Sequence, residues 1–355
     1  MERAPTYHLL TPREYPKLLS IVVTTFNEEQ ALPFLRERLT AFTATLPCRT
    51  EIIFVNDGSS DQSLRVLLEW ANVDSRVRIL NLARNFGHQL AATAGLDHAT
   101  GDAVVLMDAD LQDPPEVIAQ MLDEYRRGYD VVYGRRTARA GETIFKRASA
   151  WLFYRLMRVL IHHDLPSDVG DFRLVSRACL DALLSMRETH RFLRGMVAWV
   201  GFPQTAVEYV RDSRVAGETK YPLGKMLALA WTAAISFSPT PLRLSFGLGF
   251  LVAAIGMLQA VNAVIRSILG LHLVEGWSSI IVVNCLVGGS VLISIGVLGE
   301  YVGRIFEATK DRPLYIVASD INRPQLHPEE PLARQLAALN EATTHDQPHH
   351  SAHTR

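Results

Sequence analysis

The stretch AVVLMDADLQDPPE, Ala103 to Glu116, carries a run of apolar residues straight into a cluster of acids. Asp108 and Asp110 stand two apart, so on an extended strand they share a face, while a turn between them would redirect one. Gln112 and Asp113 follow, and then Pro114 and Pro115, which withhold the backbone donors a continuing strand needs. Carboxylates at a strand mouth are the oxygen ligands that Mg2+ and Mn2+ prefer, and these ions often keep waters and substrate phosphates in their shell. An ion held there could act as a Lewis acid on a ligand oxygen. Taken alone, DAD is more often an acidic turn in solvent, so its surroundings decide.

Similar residues punctuate the rest of the first half. Glu28 follows SIVVTTFN, Asp57 sits in NDGSSD, and Arg84 lies in ARNFG. Each has a plainer reading: Glu28 as a helix cap, Asp57 likewise, with Ser59, Ser60 and Asp61 as competitors, and Arg84 as half of a surface salt bridge. Basic residues gather later, with Arg135 and Arg136 after DVVYG, Arg173 beside Asp171 in GDFRL, and Arg211, Arg214 and Lys220 in YVRDSRVAGETKYP. Arginine pairs in a planar, often bidentate way with phosphate oxygens. A basic surface facing an anionic bilayer explains any one of them equally simply.

The elements that must position these groups follow from hydrophobic pattern. LLSIVVTTF, EIIFVND, VRILNLA and AVVLMDAD are apolar runs ending in polar residues, and DVVYG adds a later strand. Between them lie helical patterns such as EEQALPFLRERLTAFTATL, SSDQSLRVLLEWA and PEVIAQMLDEYRRG. The alternation predicts an α/β domain, a mostly parallel, Rossmann-like sheet covered by helices. Such sheets bind ligands beyond the carboxyl ends of their strands. Asn27, Glu28, Asp57 and Asp108 all fall there.

The 355 residues suffice for one large domain or two ordinary ones. A formal net charge of -1 argues against a nucleic-acid partner. Cys48, Cys179 and Cys285 are too dispersed for a disulfide or zinc framework. MERAPTYHLLTPREYPK lacks the apolar core of a signal peptide. Two stretches carry no charge, one between Arg243 and Arg266 and one between Glu275 and Glu300. Each exceeds the roughly 20 residues that span a hydrocarbon core of about 30 Å. With Arg243 on one flank and Arg304, Lys310 and Arg312 on the other, the positive-inside rule predicts a hairpin with both ends cytoplasmic. Gln259, Asn262 and Asn284 inside the spans suit contact with other helices.

The sequence thus divides into a catalytic domain over 1–221, a juxtamembrane segment over 222–241, two spans over 242–303 and a tail over 304–355. Basic and aromatic residues alternate near 144–163, which reads as an interfacial helix or an ordinary amphipathic core helix. The segment at 222–241 reads as interfacial, and the chain after about Ile321 as mostly disordered.

SIVVTTFNEE, FVNDGSSD, LARNFGHQLAATAGLDHATGD and MDADLQDPPE together resemble a family 2 glycosyltransferase with a GT-A fold. DVGDFRL, RFLRGMVAWVGF and RVAGETKYPLGKM narrow the resemblance to polyisoprenyl-phosphate glycosyltransferases, relatives of the dolichyl-phosphate mannose synthases. The bactoprenol (undecaprenyl-phosphate) glucosyltransferases are the best match. It covers about residues 18 to 317. The resemblance implies that Asp108, Asp110 and Gln112 bind Mg2+ or Mn2+ and the donor, with Asp110 catalytic through the metal. It implies a nucleotide pocket with Glu28, Asp57 and Arg84, and acceptor or phosphate contacts from Arg135, Arg136, Arg173, Arg211, Arg214 and Lys220. Asp171 matches the acid proposed as catalytic base in related enzymes. A phosphate monoester is already largely ionised near neutral pH, so acceptor positioning or removal of a residual proton is the expected role. The implied partners are a nucleotide sugar, with UDP-glucose first, undecaprenyl phosphate, the membrane, and copies of the chain, a tetramer by resemblance. Another donor (a UDP-aminoarabinose derivative, UDP-GlcNAc or GDP-mannose) is the nearest alternative. A noncatalytic membrane scaffold or lipid transporter is the alternative of another class.

Overall fold

The computed structural model describes residues 10–136, 169–189, 191–210, 240–269 and 277–322. Eight strands form one sheet: β1 (Leu18–Thr25), β2 (Arg49–Asn56), β3 (Val77–Leu82), β4 (Ala103–Asp108), β5 (Val131–Arg136), β6 (Val169–Ser176), β7 (Gln204–Tyr209) and β8 (Val317–Ile321). Their order across the sheet is β7-β5-β6-β4-β1-β2-β3-β8. The central strands β4, β1, β2 and β3 run parallel, whereas β6 is antiparallel to both β4 and β5, and β8 is antiparallel to β3. The expected mostly parallel α/β sheet is what the chain forms.

The parallel centre follows from its residues. From Leu19 to Thr25 every position of β1 is buried, as a strand covered on both faces requires. Leu19, Ile21 and Val23 point into one core with Leu32, Leu35, Leu39, Phe54 and Trp70. Val22 points to the other face, with Ile53, Val55, Ala92, Leu180 and Met196. Helices α1 (Leu32–Thr43), α2 (Ser63–Ala71) and α4 (Val117–Arg126) bury residues in the first core. The second is closed by α3 (His88–His98), α5 (Arg177–Ser185) and α6 (Leu193–Trp199). A Cβ on Gly95 of α3 would strike the side chains of Val22 and Val55, so that helix can only lie this close to the sheet without one.

Two long helices follow, α7 (Thr240–Ile268) and α8 (Trp277–Thr309). Within them Leu242–Gln259 and Leu286–Thr309 each have a mean hydropathy of 1.6 and are long and apolar enough to cross a membrane. Phe246, Phe250, Leu258 and Leu292 are exposed on them. Beyond α8 the chain returns to the sheet as β8, which pairs antiparallel with β3. Arg78 of β3 grips Asp320 through Nε at 2.8 Å and Nη2 at 2.6 Å, and the Tyr315 hydroxyl donates to Asp97 Oδ2 at 2.7 Å. Only five residues long and paired along one edge, β8 leaves almost no sequence signature. The two segments expected to be interfacial and the tail after Asn322 lie outside the described residues.

Candidate functional site

The acids converge at the carboxyl ends of β1, β2 and β4. After β4 the chain turns sharply: Leu111 has a φ of 59°, a left-handed conformation rarely adopted by a branched residue. That turn swings Asp110 inward, where it is 6% exposed and its Oδ1 accepts the Gln112 amide at 3.1 Å. Asp108 stays at the mouth, its Oδ1 accepting from the Thr24 hydroxyl at 2.9 Å. Burial raises the Asp108 pKa, and the negative fields of Asp171 and Asp110 add to that, opposed by His88. Among the described residues no three metal-binding side chains stand preassembled. Two carboxylates and an amide nevertheless fit a hard divalent ion, which takes one or two carboxylates and completes its shell with phosphate and water. The mutual repulsion that raises Asp108 is what such a cation would relieve.

The β1 and β2 loops are stitched to each other. Asn27, at a φ of 55°, accepts the Ser60 amide on its Oδ1 at 2.8 Å, and the Glu28 amide donates to Ser63 Oγ at 2.8 Å. Asp57 is buried, and its two oxygens accept the amides of Phe86 (2.7 Å) and Gly87 (2.9 Å). It therefore holds the loop that launches α3, a structural duty beside the expected contact with nucleotide. Burial raises its pKa more than those two bonds lower it. Arg84 is exposed, with its guanidinium over the Phe86 ring at 4.1 Å and Nη1 donating to the Asn85 carbonyl at 3.0 Å.

Asp171 occupies a different environment. Its side chain is 9% exposed, and Arg194 of α6 holds it at two points, Nε to Oδ1 at 2.8 Å and Nη2 to Oδ2 at 3.1 Å. His88 Nε2 lies 3.1 Å from Oδ2, and the Gln89 amide donates to the same oxygen at 3.3 Å. Burial alone would raise the Asp171 pKa, but the bond to His88 and the charges of Arg194 and Arg173 hold it well below the carboxylate range. A carboxyl so firmly anionic is a weak proton acceptor. The ladder between β4 and β6 explains the placement. Leu106 pairs with Arg173, so continuing that register brings Asp108 opposite Asp171. The His88 ring bridges them, with Nδ1 3.6 Å from Asp108 Oδ1. Burial opposes its charge, yet Asp171 and Asp108 outweigh that and raise its pKa to about 9.

Arg173, expected to contact acceptor or phosphate, is buried. Its side chain is only 6% exposed, and its guanidinium donates to the carbonyls of Gly170 (2.9 Å) and Asp171 (3.3 Å). Desolvation lowers its pKa to about 10. Arg136 is turned toward a buried pair, donating from Nε to the Tyr209 hydroxyl at 3.3 Å, while that hydroxyl donates to Asp113. Arg135 points outward, 3.8 Å from Glu208. Arg211, Arg214 and Lys220 lie outside the described residues.

His88, Gln89, Arg194, Asp113 and Tyr209 are site residues that the sequence did not single out. His88 and Arg194 lie inside NFGHQ and RFLRG, but nothing in spacing ties them to Asp171, which is 83 and 23 positions away respectively.

A mostly parallel α/β sheet with acids gathered at the carboxyl ends of its strands is the arrangement of a GT-A-like fold, with its ligand site at that edge. Residues 20–184 match the model of glycosyl transferase family 2. The uncharacterized glycosyltransferase YkcC of Bacillus subtilis is 48% identical over 84% of this chain and 92% of its own length. The bactoprenol glucosyl transferase of Shigella phage SfX is 40% identical, covering 85% of this chain and 99% of that protein. The prophage bactoprenol glucosyl transferase homolog of Escherichia coli K12 is 39% identical over 84% of the chain and 98% of that protein. Among solved structures, the Pyrobaculum calidifontis mannosyltransferase PcManGT with GDP-Man and Mn2+ superposes with a TM-score of 0.42 at 15% identity, over 83% of this chain and 91% of that one. The chain belongs to glycosyltransferase family 2.

Proposed function

We propose that this protein transfers a sugar, glucose from UDP-glucose in the first instance, to undecaprenyl phosphate, with inversion at the anomeric carbon. The observation that carries this reading is the pairing, on one chain, of an acidic strand mouth with two helices apolar enough to span a bilayer. Relatives near 40% identity that are named bactoprenol glucosyl transferases support it over nearly their whole length. Asp108 and Asp110, with Gln112, would hold Mg2+ or Mn2+; when bound, the ion supplies charge stabilisation for the departing nucleoside diphosphate. Glu28, Asp57 and Arg84 border the nucleotide side, where Asp57 keeps the loop before α3 in place. Asp171, held as an anion, orients cationic side chains, and the attacking phosphate needs no base beyond removal of a residual proton.

In this reading the catalytic domain and both termini face the cytoplasm, since Arg243, Arg304, Lys310 and Arg312 flank the two spans. Copies of the chain associate through the membrane helices, as a tetramer by family likeness.

The experiment is transfer from a panel of labelled sugar nucleotides to undecaprenyl phosphate by the purified full-length protein with Mg2+ or Mn2+. Labelled lipid from UDP-glucose is expected. Labelled lipid from another donor instead would correct the sugar. Metal-dependent donor binding by calorimetry without turnover on any donor would favour a scaffold.

A further inference from the structure

Three arginines of the described sheet, Arg135, Arg136 and Arg173, were expected to meet acceptor or phosphate, and Arg84 to border the nucleotide; each has other neighbours in the structure. Arg84 covers Phe86, Arg135 faces Glu208, Arg136 serves the buried Asp113–Tyr209 pair, and Arg173 is spent on its own strand's carbonyls. Arg194 of α6 is placed differently, beside Asp171. Arg194 keeps 34% of its side chain exposed while Asp171 fixes the plane of its guanidinium at two points. That plane is further braced from α3, because Gln89 donates to Asp171 Oδ2 and accepts the Leu193 amide on its Oε1 at 2.9 Å. Two strands meet in the choice of side. Across the sheet the order is β6-β4-β1-β2, so Asp171 and Arg194 flank Asp108 on one side, while Glu28 and Asp57, at the ends of β1 and β2, flank it on the other.

We infer that Arg194 binds the phosphate monoester of the acceptor, and that Asp171 acts on the acceptor by orienting Arg194. This rests on the proposed lipid-phosphate transfer and adds to it the residue that receives the phosphate. A guanidinium preset by a carboxylate loses less freedom on pairing with phosphate than a mobile one, and its planar fork matches phosphate oxygens where a lysine offers only a point charge. A phosphate at Arg194 would also stand beside Asp108 across the β4–β6 ladder, next to where the donor's diphosphate is expected.

The test uses full-length protein in lipid nanodiscs with UDP-glucose, Mg2+ and undecaprenyl phosphate. Arg194→Ala is expected to raise the KM for the lipid phosphate at least ten-fold while the donor KM stays within two-fold. Arg194→Lys, which keeps the charge and loses the fork, is expected to raise the lipid KM by more than two-fold but less than alanine does. A lipid KM within two-fold of wild type in either variant would overturn the assignment, as would a rise confined to the donor KM. Thermal melting reports whether the alanine variant has folded; if it has not, the lysine variant decides. If the wild type transfers no sugar to any lipid phosphate, the broader reading fails first, an outcome distinct from normal wild-type transfer with an indifferent Arg194.

Discussion

Asp108 and Asp171 stand opposite each other across two strands, yet one pKa is pushed up and the other down. Around Asp108 burial comes first, and its neighbours among the described residues are a hydroxyl, a histidine and two more acids, whose charge adds to the upward shift. Around Asp171 an arginine at hydrogen-bonding distance, a second just beyond it and an imidazole have already supplied the counter-charge. Burial acts against both carboxylates equally in kind; the partners decide the outcome. On the proposed function, the first acid would meet a cation that is not part of the chain, whereas the second already meets cations that are.

That contrast is broken most sharply at Asp110. Asp110→Asn keeps size and shape but removes a ligand charge, so turnover is expected to fall on the order of a hundred-fold or more, the scale of losing one preorganised electrostatic contact in a catalytic site. Circular dichroism and melting should stay near wild type; unchanged turnover would remove Asp110 from the metal role. Asp171→Asn should do the opposite in kind. It strands Arg173, which is buried, and loosens Arg194, so a stability loss of about 3 kcal/mol is expected alongside impaired transfer, the scale of removing one partner of a buried ion pair. Chemical denaturation measures it, and an unchanged midpoint would show that the cations find other partners.

Acid sharpens the same comparison. Because the folded Asp171 pKa lies below the unfolded value of about 4, its stabilising contribution is complete above that value. It is lost as pH falls through the lower, folded one. Wild type should accordingly lose more stability than Asp171→Asn between about pH 4 and pH 2, read from denaturation midpoints. The smallest effect is expected at Arg135→Ala. Its contact with Glu208 is long and exposed, so stability should change by less than about 1 kcal/mol. Turnover should stay within about three-fold, since an outward-facing charge adds little to catalysis. A large loss of lipid affinity there would move the phosphate site from Arg194 toward β5.

The central strands were readable because a strand covered on both faces carries a run of apolar residues, and β1, β2 and β4 each contain one, at Ile21–Val23, Ile52–Val55 and Ala103–Met107. Their ends were readable for the same reason: Asn56, Asp57 and Asp108 mark where the apolar run stops. β6 and β8 were not, since GDFRL and VASDI mix polar and apolar residues in short antiparallel pairings whose partners lie far away. The burial of Arg173 was not legible, because the sequence shows its type beside Asp171 and not its surroundings.

Residue type and period alone determined that an acidic edge would cap a parallel sheet and that two apolar helices would follow it, because both are properties of local stretches. Which cation meets which acid was settled only in three dimensions. His88 and Arg194 reach Asp171 from two different helices, brought there by the close seating of α3 at Gly95 and the β4–β6 ladder. Charge pairing depends on distances of a few ångströms between segments distant in the chain, and no local pattern encodes those.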